Sequence, residues 1–199
     1  LYENNKLIQE EVGEMQHTAY GLSGICIMQL SSKIAIGLDK KYQEEIVINY
    51  LPNIVNTKEE ALSWLNNQNN ITNNRTISDL LDQVLNYKLV NYLLKQLNID
   101  ANKTLEEIKE QELIKLCELL TSRRVLVTNT NNFEESQVSS GGISFESVNI
   151  KTLESNNMKN MYFCGEILDL DGSCGGYNLG FAWISGMIAG NSTKGEKDD

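Results

Sequence analysis

Near the end of the chain, Gly165 and Glu166 follow the short apolar run Met161–Cys164, and about ten residues later Gly175 and Gly176 precede a second apolar run. This order predicts a strand, a glycine-rich turn and a helix from about Tyr177 to Ala189. Glycine at 165 lets a ligand or another backbone come close, and the Glu166 carboxylate can accept hydrogen bonds from sugar-like hydroxyls. A helix opening after Gly176 leaves the N–H groups of Tyr177, Asn178 and Leu179 without intrahelical acceptors. Such an end stabilises negative charge, either phosphate or the anionic edge of a reduced flavin. The carboxyl end of a strand is also where open α/β sheets bind ligands. On chemistry alone this signal is weak. The same glycines serve close helix–strand packing equally well.

The remaining reactive side chains exclude more than they suggest. His17 is the single histidine, and Cys26, Cys117, Cys164 and Cys174 form no CxxC pair. No zinc or other metal site is therefore expected. Cys174 has no Lys, Arg or His nearby in sequence to lower its pKa, so an inert thiol is expected, and His17 reads as a surface or packing residue. Asp169 and Asp171 either touch a ligand or form a solvated acidic turn. A formal charge of −10 disfavours nucleic acid and anionic membranes as partners. Arg123 and Arg124 are expected at a helix end, complementing its dipole. No apolar run has the length of a membrane span, no signal peptide is visible, and the scattered cysteines fit the cytoplasm.

The elements that would position these groups fall into three textures. Residues 1–51 read as strands and turns: KLIQEE before Gly13, then EEIVINYLP before Pro52, with Ile25–Leu30 either a strand or a short helix. Residues 57–121 take a helical period. Thr57 caps a first helix, and Ser78 a long one with Leu81, Val84, Leu85, Leu89, Tyr92 and Leu93 on one face. Thr104 and Glu107 form a capping box before a third helix carrying Leu105, Ile108, Leu113, Leu116 and Leu120. The asparagine-rich NNQNNITNN is expected to be an exposed, mobile linker. Strands return at VLVTNT and FEESQVSS, and the tail NSTKGEKDD is expected to be disordered.

Four stretches, in order, carry a resemblance: GEMQHTAYGLSG (13–24), VSSGGI (138–143), KTLES (151–155) and YFCGEILDLDGSCGGYNL (162–179). Together they resemble motifs of the bacterial NAD(P)/FAD-dependent oxidoreductases known as HI0933-like flavoproteins, a family that includes aminoacetone oxidase and a bile-acid dehydro-reductase. The last stretch also resembles the closing unit of glutathione-reductase-like FAD proteins. The resemblance implies that Glu166 binds the ribityl hydroxyls of FAD, with Gly165 beside it letting the cofactor approach the backbone. It implies that Gly175, Gly176, Tyr177, Asn178 and Leu179 meet the pyrimidine edge of the flavin, and that Gly141 and Gly142 pass close to the ring. Thr18, Ser139 and Ser140 would lie on the substrate side. Three positions depart from the family pattern: Ala19 stands where it has histidine, Ile25 where proline is usual, and Gly180 where glutamine is common.

The expected fold class is α+β: a strand-rich, barrel-like substrate domain (1–55 and 123–150), interrupted by a helical bundle (56–122). The C-terminal strand–helix segment of a FAD domain (151–199) follows. Because the chain begins at Leu1 and holds no GxGxxG unit for the ADP half of FAD, it is expected to be a fragment. Its partner would then be the missing dinucleotide-binding half, and alone it would be inactive. The implied activity is a FAD-dependent oxidoreductase acting on a small organic substrate, with NAD(P)H as a possible donor. The alternative is a non-catalytic interaction module that uses the helical bundle.

Overall fold

The computed structural model describes residues 1–72 and 75–193. Asn73 and Asn74 of the expected linker, and residues 194–199 of the tail, lie outside the described residues. In chain order the first elements are β1 (Tyr2–Glu3), β2 (Lys6–Leu7), β3 (Gln16–His17), β4 (Leu22–Ser23), α1 (Ile25–Asp39) and β5 (Glu44–Ile48). There follow α2 (Lys58–Thr72), α3 (Ile77–Leu81), α4 (Tyr87–Gln96), α5 (Glu110–Ser122), β6 (Arg123–Val127) and α6 (Tyr177–Ser192). The chain divides into two compact units, Leu1–Val12 with Lys41–Thr128, and Gly13–Lys40 with the described chain from Asn129.

In the first unit an antiparallel sheet runs β2-β1-β5-β6. β5 alternates in burial, with Glu44, Ile46 and Ile48 inward, as a period-two strand with one covered face should. Glu44 pairs with Val127 and Ile48 with Arg123, so β5 and β6 meet across the whole helical insertion. Among the described residues the sheet does not close into a barrel. The sheet is open at β2 and β6, and β1 and β2 are only two residues each.

The insertion packs around Leu65, Ile77, Leu81, Leu93, Leu94, Leu116 and Leu120, all buried in one cluster. At the start of α2 the Glu60 N–H donates to Thr57 Oγ1 (3.2 Å) and the Asn56 N–H donates to Glu60 Oε2 (2.7 Å). The expected linker is instead helical through Thr72. Asparagine is a poor helix former, but a helix already anchored by buried Ala61 and Leu65 propagates at little cost per residue. The single long helix expected from Ser78 is two helices. Thr76 and Asp79 form a capping box for α3, and Asn86 caps α4 by accepting the Lys88 N–H at 2.9 Å. A short polar side chain that binds the backbone this way competes with helix continuation. The Thr104–Glu107 box forms as expected, yet opens only a 3₁₀ turn. Ile108 then turns extended, and α5 starts at Glu110.

Arg123 and Arg124 stand at a helix end, as expected: Arg123 is the C-cap of α5 and, already extended, begins β6. Its guanidinium donates to the Tyr92 hydroxyl (2.6 Å), and Arg124 pairs with Glu45 (2.7 Å).

In the second unit the β3–β4 hairpin leads into α1, which settles Ile25–Leu30 as helix. Cys26, Leu30, Ile34 and Gly37 fall on its buried stripe. Neither FEESQVSS nor Met161–Cys164 forms a strand. The first contains a 3₁₀ turn, Phe133–Glu135, and the second makes one bridge, Tyr162 to Glu154. A strand needs a ladder for its backbone groups, and one bridge does not supply it. Besides the α1 stripe, Val148, Leu153, Leu168 and Ala189 are buried together in one cluster, with Phe145 edge-on to Phe181. Among the described residues no helix is long and apolar enough to cross a membrane.

Candidate functional site

The Gly165–Glu166 turn is held from beneath. Gly165, at φ +73°, donates its N–H to Ser185 Oγ (2.9 Å), and Ser185 donates in turn to the Phe181 carbonyl (2.7 Å). Ser185 is 1% exposed, a hydroxyl buried in an uncharged helix and fully used there. This fastens the 3₁₀ turn Gly165–Ile167 to the middle of α6. Above it, Glu166 Oε1 accepts the Ser139 N–H at 2.8 Å, while the side chain stays exposed.

That bond starts a short parallel association. The Ile143 N–H donates to the Ile167 carbonyl (2.8 Å), and the Asp169 N–H donates to the Ile143 carbonyl (3.0 Å). Gly142 sits in the crossing at φ +149°, and a Cβ there would stand 2.6 Å from the Ile167 oxygen. Gly141, at φ +97°, faces open space. Ser139, Ser140, Gly141 and Gly142 are thus brought alongside Gly165–Asp169.

The glycine-rich turn is shaped by side-chain amides. Asn178 accepts the Gly172 N–H (2.8 Å) and donates to the Gly172 carbonyl (3.0 Å), so its side chain is spent on the loop. The Cys174 N–H donates to Gln29 Oε1 on α1 (3.2 Å). Gly175 (φ +126°) and Gly176 (φ +94°) follow, and α6 begins at Tyr177, its ladder starting with Gly180 N–H to Gly176 O (2.9 Å). The N–H groups of Tyr177, Asn178 and Leu179 precede that ladder and have no intrahelical acceptor. Tyr177 and Leu179 are exposed.

Thr18 is occupied within its own hairpin. Its N–H and hydroxyl both donate to the Gly21 carbonyl (2.8 and 3.0 Å), and it accepts the Gly21 N–H (3.1 Å). Gln29 and Ser185 were not singled out from the sequence. The available signal was a polar residue within an apolar helical run, ICIMQL and FAWISGMI. Among the described residues no group of three or more His, Cys, Asp or Glu could hold a metal.

Along α6, Leu179, Trp183 and Met187 recur every fourth residue, are 65–76% exposed, and with Ala182 and Gly186 line an open apolar hollow of about 450 Å³.

These features define a mixed α/β protein whose second unit presents a glycine-opened helix N-terminus beside a carboxylate-bearing turn. Residues 1–138 match the HI0933-like protein barrel and H2TH domain, and residues 95–192 match the HI0933-like protein Rossmann domain. The chain belongs to the HI0933-like family. It is 34% identical over 192 residues to the 3-dehydro-bile acid delta(4,6)-reductase of Clostridium scindens, covering 94% of this chain and 45% of that protein. It is 30% identical over 183 residues to the ribosomal RNA dihydrouridine synthase of Escherichia coli (92% and 42%). Against the Haemophilus influenzae enzyme of the same name the identity is 27% over 172 residues (86% and 40%). The chain therefore spans less than half the length of these relatives.

Proposed function

We propose that the chain forms the substrate-side and flavin-ring portion of a FAD-dependent reductase that saturates a carbon–carbon double bond conjugated to a carbonyl. The observation that carries this is the start of α6. Positive φ at Gly175 and Gly176, with no atom within 4 Å of a Cβ at Gly176, leaves the Tyr177–Leu179 N–H groups at an open helix end. Such an end suits the pyrimidine edge of a flavin, where negative charge develops on reduction. The open space at Gly141 and the exposed Glu166 carboxylate fit the same group, with Glu166 holding ribityl hydroxyls. FAD, when bound, supplies hydride transfer. The chain's own residues orient the ring, favour its reduction by the N–H dipoles and, through Ser139, Ser140 and Thr18, face the substrate.

The substrate class is supported by the relatives' names. A 3-dehydro-bile acid delta(4,6)-reductase and a dihydrouridine synthase both remove unsaturation conjugated to a carbonyl. The small-molecule form is preferred for this chain because of its acidic balance and the higher identity to the bile-acid enzyme. An RNA uridine is the second reading, favoured by the two dihydrouridine synthases. NAD(P)H is the proposed donor, and the cytoplasm the proposed compartment, in keeping with four cysteines that form no disulfide among the described residues.

The proposed partner of the chain is a segment carrying GxGxxG, which would hold the ADP half of FAD. The apolar stripe of α6 supports this, since a helix apolar all round is normally covered. Alone, the chain is expected to hold FAD weakly or not at all. The test is the complete reading frame, purified and examined for flavin absorbance, then reduced anaerobically with NADPH and mixed with a steroid dienone or with unmodified ribosomal RNA. Reoxidation by one of these identifies the substrate class. A full-length protein without flavin overturns the enzyme reading and leaves the helical bundle as an interaction module. Stoichiometric flavin retained by the 199-residue chain through gel filtration overturns the division of the site.

A further inference from the structure

We infer that Gln29 is a positioning residue that sets the glycine-rich turn for its cofactor, an assignment that rests on the flavin reading above. Its carboxamide oxygen, on α1, accepts the Cys174 N–H at 3.2 Å across 145 residues of sequence. Cys174 lies immediately before Gly175 and Gly176, the two residues with the greatest backbone freedom in the turn. Their φ values of +126° and +94° aim the first N–H groups of α6, and nothing intrinsic to glycine selects those values. Two restraints bracket the pair. On its own loop, Asn178 clasps Gly172 at both N–H and carbonyl. From a different element, Gln29 fixes Cys174.

The Asn178 clasp is local and moves with the loop. The Gln29 bond refers the loop to α1, whose buried Cys26, Leu30 and Ile34 hold it without help from Gln29. The residue is thus placed to act on the turn and not on the stability of its helix. Through α1, Gln29 also joins the cofactor turn to the β3–β4 hairpin, whose turn carries Thr18 and whose second strand leads through Gly24 into the helix.

The experiment compares Gln29→Met, which keeps side-chain length but removes the acceptor, with Gln29→Glu, which keeps one. Both are made in the full-length protein. Amide hydrogen exchange of the peptide covering 172–176 is read beside flavin retention and the flavin midpoint potential. Losing one neutral hydrogen bond predicts about fivefold faster exchange at 172–176 and about fivefold weaker flavin retention in Gln29→Met. Exchange in α1 stays at the wild-type rate, the midpoint potential moves, and Gln29→Glu restores slow exchange at 172–176. Unchanged exchange at 172–176 in Gln29→Met overturns the assignment, as does a change spread equally over α1, which is the mark of a structural role. If Gln29→Met does not fold, fast exchange at 172–176 in a folded Gln29→Glu overturns it as well. A wild-type full-length protein without flavin overturns the cofactor role, and the exchange difference at 172–176 tells that failure apart from a failure of Gln29.

Discussion

In the unit that carries the helical bundle, sixteen buried side chains from Leu51 to Leu120 form one continuous core, and α2, α3, α4 and α5 each contribute. In the unit that carries the candidate site, the buried apolar side chains among the described residues are fewer: Val148, Leu153, Leu168 and Ala189 in one cluster, and Cys26, Leu30 and Ile34 on α1. Its most apolar helix meanwhile turns Leu179, Trp183, Ile184 and Met187 outward. To this burial the second unit adds hydrogen bonds at defined points: Ser185 under Gly165, Glu166 on Ser139, Gln29 on Cys174 and Asn178 on Gly172. Apolar burial is non-directional and tolerates shape change at modest cost, whereas a set of single bonds fixes backbone orientation one residue at a time. The first unit is held by a large apolar core; in the second, single bonds set the backbone at the Gly165 and Gly175–Gly176 turns.

The largest effect should come from opening the bundle core. Leu116→Ala removes a side chain with no exposed surface and is expected to cost about 2–5 kcal/mol. Chemical denaturation followed by the fluorescence of Trp64, which packs on that core, measures it. A loss under ~1 kcal/mol would mean that the cluster is not close-packed and would break the contrast.

Next comes a pair of glycines in the other unit. Gly142→Ala places a methyl 2.6 Å from the Ile167 oxygen at positive φ, and is expected to cost roughly 2–4 kcal/mol and to separate Ile143 from Leu168. Gly141→Ala meets no atom and should cost only the left-handed backbone penalty, about 1–2 kcal/mol. In the flavin-loaded protein Gly141→Ala should also weaken flavin retention, because its methyl enters open space proposed for the ring. Thermal unfolding and flavin release separate the two effects. Equal stability losses would show that the crossing is not tight.

A smaller effect concerns Glu44. It is 1% exposed, lies opposite Glu3 in the β1–β5 register, and leaves Oε2 without a partner. Burial first, and then the facing Glu3 carboxylate, raise its pKa above the ordinary glutamate value, with the Leu1 ammonium opposing. The folded state therefore holds the proton more tightly than the unfolded chain. Stability from this group is fully present below the unfolded pKa and is lost as pH rises through the folded one. Glu44→Gln should be more stable than wild type at pH 7, by on the order of 1 kcal/mol, and equal to it near pH 4. Urea midpoints at both pH values test this; a variant less stable at pH 7 would sink it.

What the residues disclosed in advance follows the same division. β5 was legible in EEIVINYLP because it is rich in β-branched residues before Pro52, and α6 because Gly-Gly before an apolar run is a local signal. The Thr104–Glu107 box was legible for the same reason. The break between α3 and α4 was not, since Asn86 interrupts a correct apolar period only by capping its own backbone. Met161–Cys164 has a strand's composition, but composition does not state which neighbours complete a ladder. Of the candidate site, the turns at Gly165–Glu166 and Gly175–Gly176 were readable from the glycines' spacing. Gln29 and Ser185 were not, because a bond across 145 or 20 residues leaves no local pattern.

The smallest effect on stability carries the sharpest test of the difference between the units. Leu179→Glu with Trp183→Glu changes two side chains 71% and 76% exposed, so unfolding of the 199-residue chain should move by no more than about 0.5 kcal/mol per site. In the bundle the same chemistry at Leu93 or Leu116 would be ruinous, because each is fully buried. If the α6 stripe is the surface that the dinucleotide-binding segment covers, the double variant should nonetheless abolish assembly with that segment. The helix N-terminus would remain intact, since neither side chain takes part in the bonds at Gly165, Gly172 or Cys174. Co-purification of the two pieces reads the assembly, and hydrogen exchange at 172–176 reads the turn. Loss of assembly with an unchanged turn identifies α6 as a covered face. Unimpaired assembly would leave the stripe as exposed surface in the complete protein, and the second unit would then be as fully packed as it will ever be.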